Sequence, residues 1–383
     1  MCARKVDTGT SGEAMNAVAS KTIAFNGKFF GAASTGVHRV AEELIAATDA
    51  LISEQHGNGA DFALVVRNSV ETPAYRNISC IRESRLARSM HRIAWEQCYL
   101  PLARRKDFIL NLCNLGPLLH RDSATMIHDA QVYSSPESYS LRFRLWHKFL
   151  YFFIGRRHKI IFTVSEFSKS ELVRYGVASP DKIVVVHNGC DHILQFQPDE
   201  HPLVTMKLEP GRYVLALANT QKHKNIAVLL KAFAGSELRD VALVLFGGST
   251  RADFEDLGLA VPRNVRFAGR ITDSELVGLM SNAGVLAFPS LTEGFGLPPL
   301  EAMALGCPVV AAPLGALPEV CGNAALYADA FSPDAWSLKI RTVLDDEAVR
   351  QALVADGRRQ AAKFTWKQAA QNLFEAVNAA TLQ

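Results

Sequence analysis

The sequence predicts an α/β protein built from two Rossmann-like domains, each with a parallel sheet, that face one another across a cleft. Two observations predict this fold. The chain has 383 residues, which exceeds the roughly 250–300 residues at which a single hydrophobic core stops growing. In addition, short apolar runs alternate with longer helical patterns along most of the chain, and this alternation is typical of βαβ units.

The first domain is predicted over residues 21–195, behind a small, polar tail at residues 1–20 that is expected to be disordered. Apolar runs and helical patterns alternate through the domain, which favours a parallel sheet. The predicted strands contain TIAFNG, ALVVR, FILNLC, ATMIHD, IIFTVS and KIVVVHNG, and the clearest helices contain VHRVAEELIAATDALI and EFSKSELVRYG.

A polar segment after Asn188 and Gly189, DHILQFQPDEHPLVTMKLEPG, has no clear period and is interpreted as the linker. The alternation then resumes, so residues 196–364 are predicted to form the second domain. Its strands contain YVLALAN, VALVLFGG, NVRFAG, VLAFPS and PVVAA, and its helices contain NIAVLLKAFAGS, DSELVGLMSNAG and LPPLEAMALG. Ligands of open parallel sheets bind outside the carboxyl ends of the strands, so functional residues are sought there.

The composition is that of a soluble globular enzyme, with 49% hydrophobic and 21% charged residues. The net charge is +3, but residues 1–190 contain 24 Lys and Arg against 17 Asp and Glu, whereas the remainder contains 17 against 21. The basic first half suggests an anionic partner, either a membrane surface or a phosphorylated substrate. A nucleic-acid-binding protein would usually be more basic, so no nucleic-acid partner is expected.

The seven cysteines show no CxxC spacing, as expected in a reducing compartment, and no zinc site is expected. The N-terminus lacks the apolar core, roughly 7–15 residues long, of a signal peptide. No run approaches the roughly 20 apolar residues of a membrane span. We therefore expect a cytoplasmic protein, either soluble or peripheral at the inner face of the membrane.

The first predicted strand leads to a glycine-containing turn, NGKFFGAASTGVHRV. Gly31 and Gly36 have the spacing of a Walker A loop, but Val37 and His38 stand where that loop has Lys and Ser or Thr, and no GxGxxG motif follows. Gly36 therefore opens a helix whose N–H groups face an anion, or it belongs to an ordinary strand-to-helix turn. The residues alone leave both interpretations open.

Three further strand ends carry polar or glycine residues. His128 follows the run TMI, where it either packs as a buried histidine or accepts a hydrogen bond from a sugar hydroxyl. Gly247 and Gly248 let a ligand approach the backbone, or form a turn without a ligand. The third strand end carries a basic cluster in a predicted loop: Lys222, His223 and Lys224. Next to a helix N-terminus these side chains suit a diphosphate, although solvated loop lysines are common.

The stretch EGFGLPPLE, residues 293–301, follows the run VLAFPS. Its two prolines fit only the first turn of a helix, so residues 294–296 are expected in the preceding loop with free N–H groups, and Glu301 is expected in the first turn. Each carboxylate has a structural explanation, Glu293 as a solvated loop residue and Glu301 as an acid favoured by the helix dipole. Two carboxylates beside free amides, however, suit a neutral polyol, which favours a sugar and a ribose as ligands.

These motifs resemble those of the retaining glycosyltransferases of family four, which have the two-domain GT-B architecture. The resemblance runs from about Lys21 to the end of the chain. It rests on TGVHRVAEEL, WEQCYLP, IHDAQVY, VSEFSKSELVRYGVASPDKIVVVHNGCD, HKN, FPSLTEGFGLPPLEAMALGCPVVA, GALPEVCGNAA and FTWKQAA. It implies that the first domain binds the acceptor, that the second binds a nucleotide-sugar donor, and that residues 365–383 form a helix that crosses back to the first domain.

The resemblance also implies roles for individual residues. Glu293 would hold hydroxyls of the donor sugar, Glu301 the ribose hydroxyls and Lys224 the donor diphosphate, while His128 would lie near the transferred sugar. The catalytic residues implied in this way are His128, Lys224 and Glu293. The donor-binding residues are Gly36, Asn219, His223, Lys224, Gly247, Gly248, Glu293, Gly294, Phe295, Gly296, Leu297 and Glu301.

One departure from the family concerns the diphosphate. Many members have an arginine where this chain has Asn219. Neutralisation of the diphosphate then depends more on Lys224, with His223 or Lys222 as helpers. No metal or other cofactor is expected, because a lysine and helix N-termini stabilise the charge on the leaving diphosphate.

The segments WEQCYLP and NLCNLGPLL resemble bacterial members that build surface polysaccharide, many of them mannosyltransferases. The resemblance therefore favours retaining transfer of mannose from GDP-mannose to a saccharide acceptor, often lipid-linked at the inner membrane face. A UDP- or dTDP-sugar, such as UDP-glucose, is the alternative donor. A non-catalytic sugar-binding protein of the same fold is the alternative function, whereas an epimerase or a phosphorylase would need other cleft chemistry.

Residues 142–159, RFRLWHKFLYFFIGRRHK, contain six Lys and Arg, no acidic residue and many aromatic residues. Such a segment is able to bind the first domain to the surface of an anionic membrane. A buried helix with basic ends is the alternative.

Overall fold

The computed structural model describes residues 21–32, 35–54, 61–67, 70–84 and 87–381. The tail predicted at residues 1–20 lies outside these ranges. The described part of the chain contains two separate parallel sheets, as the alternation of strands and helices predicts.

The first sheet is formed by β1 (Ile23–Asn26), β2 (Phe62–Val66), β3 (Ile78–Arg82), β4 (Phe108–Asn111), β5 (Ser123–Met126), β6 (Ile160–Thr163) and β7 (Ile183–Val185). The spatial order is β3-β2-β1-β4-β5-β6-β7. Every pair of neighbours is parallel. Strands β1, β2, β4, β5 and β6 are buried along their whole length, which explains why they appear in the sequence as continuous apolar runs.

The helices of this half are α1 (Gly36–Glu54), α2 (Arg92–Ala94), α3 (Leu100–Ala103), α4 (Gln131–Ser134), α5 (Leu141–Arg157) and α6 (Glu166–Arg174). A π-helix, Trp95–Tyr99, joins α2 to α3. Helix α6 is capped by Ser165, whose side chain accepts a hydrogen bond from the N–H of Ser168.

The second sheet is formed by β8 (Tyr213–Leu217), β9 (Ala242–Phe246), β10 (Val265–Gly269), β11 (Val285–Phe288), β12 (Val309–Ala311) and β13 (Ala325–Tyr327). Its order is β10-β9-β8-β11-β12-β13, again with parallel neighbours throughout. Its helices are α7 (His201–Thr205), α8 (Ile226–Ala234), α9 (Arg251–Glu255), α10 (Asp273–Asn282), α11 (Leu297–Leu305), α12 (Leu317–Cys321), α13 (Pro333–Asp345) and α14 (Glu347–Ala361).

Local chemistry fixes the ends of these helices. Helix α10 starts in a capping box, in which Thr272 and Glu275 satisfy each other's backbone N–H groups. Helix α11 lies between two glycines in the left-handed conformation, Gly296 with φ of 107° before it and Gly306 with φ of 80° after it. Helix α10 therefore begins where its boundary residues predict, and α11 ends at the predicted glycine but begins one residue before its two prolines.

The strand order reverses once in each sheet. In the first sheet β1 lies between β2 and β4, and in the second β8 lies between β9 and β11. Ligands of open parallel sheets bind in the crevice that such a reversal creates at the carboxyl ends of the strands. The loops after β8 and β11 are therefore the expected donor site.

The last helix, α15 (Trp366–Thr381), packs against α1 rather than against the second sheet. The ring of Phe374 stacks on that of Phe62, with centroids 5.6 Å apart. The amine of Lys159 donates a hydrogen bond of 3.1 Å to the carbonyl of Ala380. The helix thus lies on the first half of the protein, while the domain boundaries given above stay predictions.

Helix α5 covers the basic aromatic segment and is only partly buried. Its buried side is formed by Leu150, Tyr151, Ile154 and Gly155. Its exposed large apolar side chains are Leu141, Phe143, Leu145, Trp146, Phe149 and Phe152. The alternative of a buried helix with basic ends is therefore wrong for most of this segment. None of the helices among the described residues is long and apolar enough to cross a membrane.

At Gly155, helix α5 packs closely against the backbone of Val177. A Cβ placed on this residue would clash with the carbonyl oxygen of Val177. Because a backbone oxygen has little room to move, we expect Gly155→Ala to destabilise the protein by about 1–3 kcal/mol. Thermal unfolding checks this. The control is Gly36→Ala, since a Cβ at Gly36 meets no atom within 4 Å; equal melting temperatures for both variants would contradict the expectation.

Candidate functional site

The two halves of the protein touch at the loop that follows β11. The carbonyl oxygen of Gly294 accepts hydrogen bonds from the hydroxyls of Ser165, at 2.6 Å, and Ser168, at 3.1 Å, which belong to the N-terminal end of α6. The hydroxyl of Ser168 also lies 3.0 Å from the carbonyl of His128. A Cβ on Gly294 would clash with that carbonyl. Glycine is therefore required where the two halves meet.

The loop around Gly294 has the predicted form, with one correction. Residues 294–296 precede the helix, and Leu297 is its first residue. Glu301 is therefore the fifth helical residue, so its prediction in the first turn was wrong, because the helix starts one residue before the two prolines. The side chain of Phe295 is buried against Phe364, with centroids 5.7 Å apart. Phe295 thus presents only its backbone to a ligand.

The carboxylate of Glu293 and the amine of Lys224 are brought together across 69 residues of sequence. The Lys224 Nζ atom donates a hydrogen bond of 2.7 Å to Oε1 of Glu293. The two side chains are only 16% and 11% exposed. Buried charges of this kind need a partner, and here each supplies the other. The residues assigned to the donor sugar and to its diphosphate are therefore direct neighbours.

His223 lies beside this pair. It forms the middle of a 3-10 helix, Lys222–Lys224, where the sequence predicted an irregular loop. Its Nδ1 lies 2.8 Å from the hydroxyl of Ser138 in the first half. Its Nε2 is buried and has no hydrogen-bond partner among the described residues. Burial, assisted by the charge of Lys224, lowers the pKa of His223 to about 4, so the ring is neutral.

His128 faces the same contact from the first half. Its Nε2 lies 2.8 Å from the carbonyl of Leu112, and because a carbonyl only accepts, Nε2 carries the hydrogen. Nδ1 is then an acceptor. Burial lowers the pKa of His128 to about 4, although the bond to Leu112 opposes that shift. His128 therefore offers a neutral hydrogen-bond acceptor rather than a positive charge.

Asp129 completes the cluster and was not among the predicted site residues. Its Oδ1 accepts a hydrogen bond of 2.9 Å from the N–H of Gln131. Burial raises the pKa of Asp129, while the charge of Lys224 lowers it and that of Glu293 raises it. The sequence contained a signal for this residue, since Asp129 directly follows His128 at the same strand end.

Asn219 and the glycine pair after β9 shape the neighbouring loops. The side-chain oxygen of Asn219 accepts a hydrogen bond of 2.8 Å from the N–H of Gln221, which closes the turn after β8. Gly247 has φ of 129°, a conformation that favours glycine. A Cβ on Gly248 would lie 3.5 Å from the guanidinium of Arg270. The side-chain oxygen of Asn219 therefore stabilises the turn after β8. Because the side chain is uncharged, Asn219 adds no positive charge to the site.

Glu301 has a different partner from Glu293. Its Oε1 lies 3.1 Å from Nε2 of His192, and both side chains are buried.

The same region contains a second contact between the two halves, in which the guanidinium of Arg39 in α1 donates hydrogen bonds to both carboxylate oxygens of Asp273, at 2.8 and 2.6 Å. Gly36, which opens α1, lies three residues before Arg39. Sequence reasoning found none of these partners, because they are separated by more than 100 residues and share no motif.

Glu319 makes a further contact between the halves. Its two carboxylate oxygens accept hydrogen bonds from the N–H groups of Glu166 and Phe167, at 2.9 and 3.0 Å, at the start of α6. His187 lies 2.9 Å from one of these oxygens. Burial alone would raise the pKa of Glu319, but these hydrogen bonds outweigh it and lower the pKa. A carboxylate from α12 thus stabilises the positive end of a helix in the first half.

The described residues contain no group of three or more His, Cys, Asp or Glu side chains placed to hold a metal ion.

A family model described as "Glycosyl transferases group 1" matches residues 201–360, which begin at α7 and end within α14. The O-antigen chain mannosyltransferase B of Escherichia coli is 34% identical over 275 residues, which are 68% of this chain and 72% of that protein. The chain spans about half the length of the D-inositol 3-phosphate glycosyltransferases of corynebacteria that it also matches.

Solved structures share the fold over nearly the whole chain. The sucrose-phosphate synthase of Thermosynechococcus elongatus superposes with a TM-score of 0.72 at 19% identity, covering 94% of this chain and 98% of that one. The HepE protein of Anabaena in complex with UDP-glucose superposes with a TM-score of 0.68 at 16% identity, covering 94% of this chain and 100% of that one.

The two parallel sheets, the facing strand ends and these matches agree with one another. The fold is the GT-B fold predicted from the sequence. The matched family and the E. coli relative both indicate transfer of a sugar. The chain therefore belongs to the glycosyl transferases group 1 family and is a glycosyltransferase.

Proposed function

We propose that this glycosyltransferase moves mannose from GDP-mannose to a saccharide acceptor, with retention of the anomeric configuration and without a metal ion. The acceptor is a lipid-linked saccharide at the inner face of the membrane, and the product serves surface polysaccharide synthesis. The choice of mannose is supported by the name of the E. coli relative, an O-antigen chain mannosyltransferase. The bacterial polysaccharide enzymes that the sequence resembles support the choice of acceptor.

The observation that carries the proposal is the contact between Lys224 and Glu293 at the point where the halves meet. A nucleotide sugar has a negative diphosphate next to a neutral sugar. The positive charge of Lys224 suits the diphosphate. The carboxylate of Glu293 only accepts hydrogen bonds, so it suits the hydroxyls of the sugar. Two groups that are 2.7 Å apart therefore match two neighbouring parts of one donor.

Helix N-termini add to the positive side of this site. Helices α8 and α11 follow β8 and β11, and neither has a side-chain cap at its first turn among the described residues. Pro298 and Pro299 have no N–H, so the free N–H groups at the start of α11 are those of Gly296 and Leu297. Together with the N–H groups at the start of α8, they carry part of the positive helix dipole and suit phosphate oxygens. Together with Lys224 they would stabilise the charge that develops on the leaving diphosphate.

In the transfer step, the bond between the sugar C1 and the diphosphate oxygen breaks, and a bond from C1 to the acceptor hydroxyl oxygen forms on the same face. The hydroxyl proton goes to the departing phosphate oxygen. His128 supports the transferred sugar as a neutral hydrogen-bond acceptor and forms no covalent bond. Closure of the two halves around the donor would exclude water and protect the donor from hydrolysis.

Helix α5 is the candidate for membrane contact. It presents six large apolar side chains together with Arg142, Arg144, Lys148, Arg156 and Arg157. Basic and aromatic side chains on one helix suit the interface of an anionic bilayer. This contact would bring the acceptor side of the first half to lipid-linked saccharides.

Donor specificity is tested by thermal unfolding with GDP, UDP, dTDP and ADP. We expect GDP to raise the melting temperature most, because a ligand at 100 times its Kd stabilises the native state by about 2.7 kcal/mol. GDP should also be released from GDP-mannose when lipid-linked saccharides are present. The enzymatic proposal is wrong if no nucleoside diphosphate is released from any common donor under these conditions.

The two glutamates are expected to differ in their effects. Loss of a charged hydrogen-bond partner costs roughly 1.5–3 kcal/mol, so Glu293→Ala should lower the transfer rate by about 10- to 100-fold. Glu301→Ala should mainly weaken nucleotide binding, seen as a higher KM for the donor. Glu255→Ala serves as the control, since Glu255 is exposed on α9. Wild-type kinetics for both site variants would refute the assignment.

Membrane contact is tested by flotation with vesicles that contain phosphatidylglycerol. The double variant Arg156→Glu, Arg157→Glu should float less, because it reverses two charges at the end of α5. The matched control is Arg239→Glu, Arg263→Glu, which makes the same charge change at exposed positions of the second half. Equal flotation of the α5 variant and the wild type would remove the membrane proposal.

A further inference from the structure

Three buried side chains form a chain of close polar contacts, here called the relay, that ends on Glu301. The indole Nε1 of Trp366 lies 3.0 Å from Nδ1 of His192. Nε2 of the same imidazole lies 3.1 Å from Oε1 of Glu301. Trp366, His192 and Glu301 are 4%, 3% and 8% exposed. The three groups come from the first helical turn of α15, from a 3-10 helix at Asp191–Gln195 and from α11.

The direction of the relay follows from the donor and acceptor properties of its members. An indole N–H only donates, so Nδ1 of His192 accepts. The neutral ring then carries its hydrogen on Nε2, the nitrogen that lies 3.1 Å from Oε1 of Glu301. The imidazole therefore holds one carboxylate oxygen of Glu301 without neutralising its charge.

The first member of the relay is itself fixed in place. The backbone N–H of Trp366 donates a hydrogen bond of 2.8 Å to Oδ1 of Asp191. The N–H of Cys190 donates one of 3.0 Å to the carbonyl of Phe364. A Cβ on Gly189 would clash with the backbone of Trp366. The linker and the start of α15 are thus locked together, and the indole has little freedom to turn away from His192.

Glu301 needs such support. It lies in the second turn of α11, where a glutamate side chain has three rotatable bonds and several rotamers. The nearby guanidinium of Arg39 makes its two-fold hydrogen bond to Asp273 instead. Within the described part of the chain, the imidazole of His192 lies 3.1 Å from Oε1 of Glu301, and this contact favours a carboxylate orientation that leaves the second oxygen available.

We propose that His192 is a positioning residue for the donor nucleotide: it holds Oε1 of Glu301 so that the other oxygen, Oε2, accepts hydrogen bonds from the ribose hydroxyls. Trp366 acts one step further away by holding the imidazole. This inference rests on the proposed function, which assigns the ribose to Glu301. It also joins the ribose site to α15, the helix that packs on the first half of the protein.

The test compares binding of GDP and 2′-deoxy-GDP, and of UDP and 2′-deoxy-UDP, by isothermal titration calorimetry. In the wild type, the ribose form should bind more tightly than the deoxy form by about 10-fold, as expected for a hydrogen bond to a charged group. His192→Phe keeps a ring in the cavity but removes the donor to Glu301. It should weaken binding of the ribose form by about 10-fold and bring the ratio of the two Kd values close to one.

Two further variants separate positioning from a general loss of structure. His192→Gln retains an N–H group near the position of Nε2 and should restore most of the preference for ribose. Trp366→Phe removes only the indole N–H from the relay and should reduce the preference in the same direction but less. Because His192→Gln and Trp366→Phe are both conservative, the inference stays testable if His192→Phe does not fold.

The outcomes distinguish this inference from the proposed function. If wild-type protein binds none of the four nucleotides, the assignment of a donor site fails and the relay proposal fails with it. If the wild type prefers the ribose form and the His192 and Trp366 variants keep that preference unchanged, only the relay proposal is overturned. In the assay with GDP-mannose, His192→Phe should raise the donor KM by about 10-fold while kcat changes by less than about 3-fold.

Discussion

The carbonyl oxygen of Gly294 is the point on which the geometry of the site depends. It receives hydrogen bonds from Ser165 and Ser168 of the first half, and no side chain larger than hydrogen fits beside His128. This contact holds the loop after β11 against the start of α6 and the loop that contains His128. Glu293 lies one residue before it, so the same contact also constrains the position of the Glu293 carboxylate relative to the first half.

Around this contact, the charges and protonation states leave the site rich in hydrogen-bond acceptors. Glu293 is paired with Lys224, and Glu301 contacts a neutral imidazole. Burial keeps His128 and His223 uncharged by lowering both pKa values to about 4. The largely buried Lys224, the neighbouring carboxylates and the neutral imidazoles together suit a ligand that is anionic at one end and rich in hydroxyls at the other.

The parts of the site that are local in sequence could be predicted. The alternation of strands and helices predicted both sheets. The glycines and prolines predicted residues 294–296 in the loop before a helix and Pro298 and Pro299 in its first turn, because few other conformations accept these residues. The error was in the turn of Glu301, since prolines occupy any of the first helical positions and do not fix which residue comes first. Contacts such as Ser138 with His223, or His192 with Glu301, join residues 85 and 109 positions apart. They depend on how the two halves pack, for which a single sequence contains no periodic signal.

The final helix determines how this protein can be divided. Helix α15 follows the second sheet in the chain, yet its side chains complete the packing of the first half, where Phe374 stacks on Phe62. A cut in the linker would therefore leave the first fragment with an uncovered apolar surface. An independently folding first half would need the α15 peptide supplied in trans, or a circular permutation that joins this helix to the first half directly.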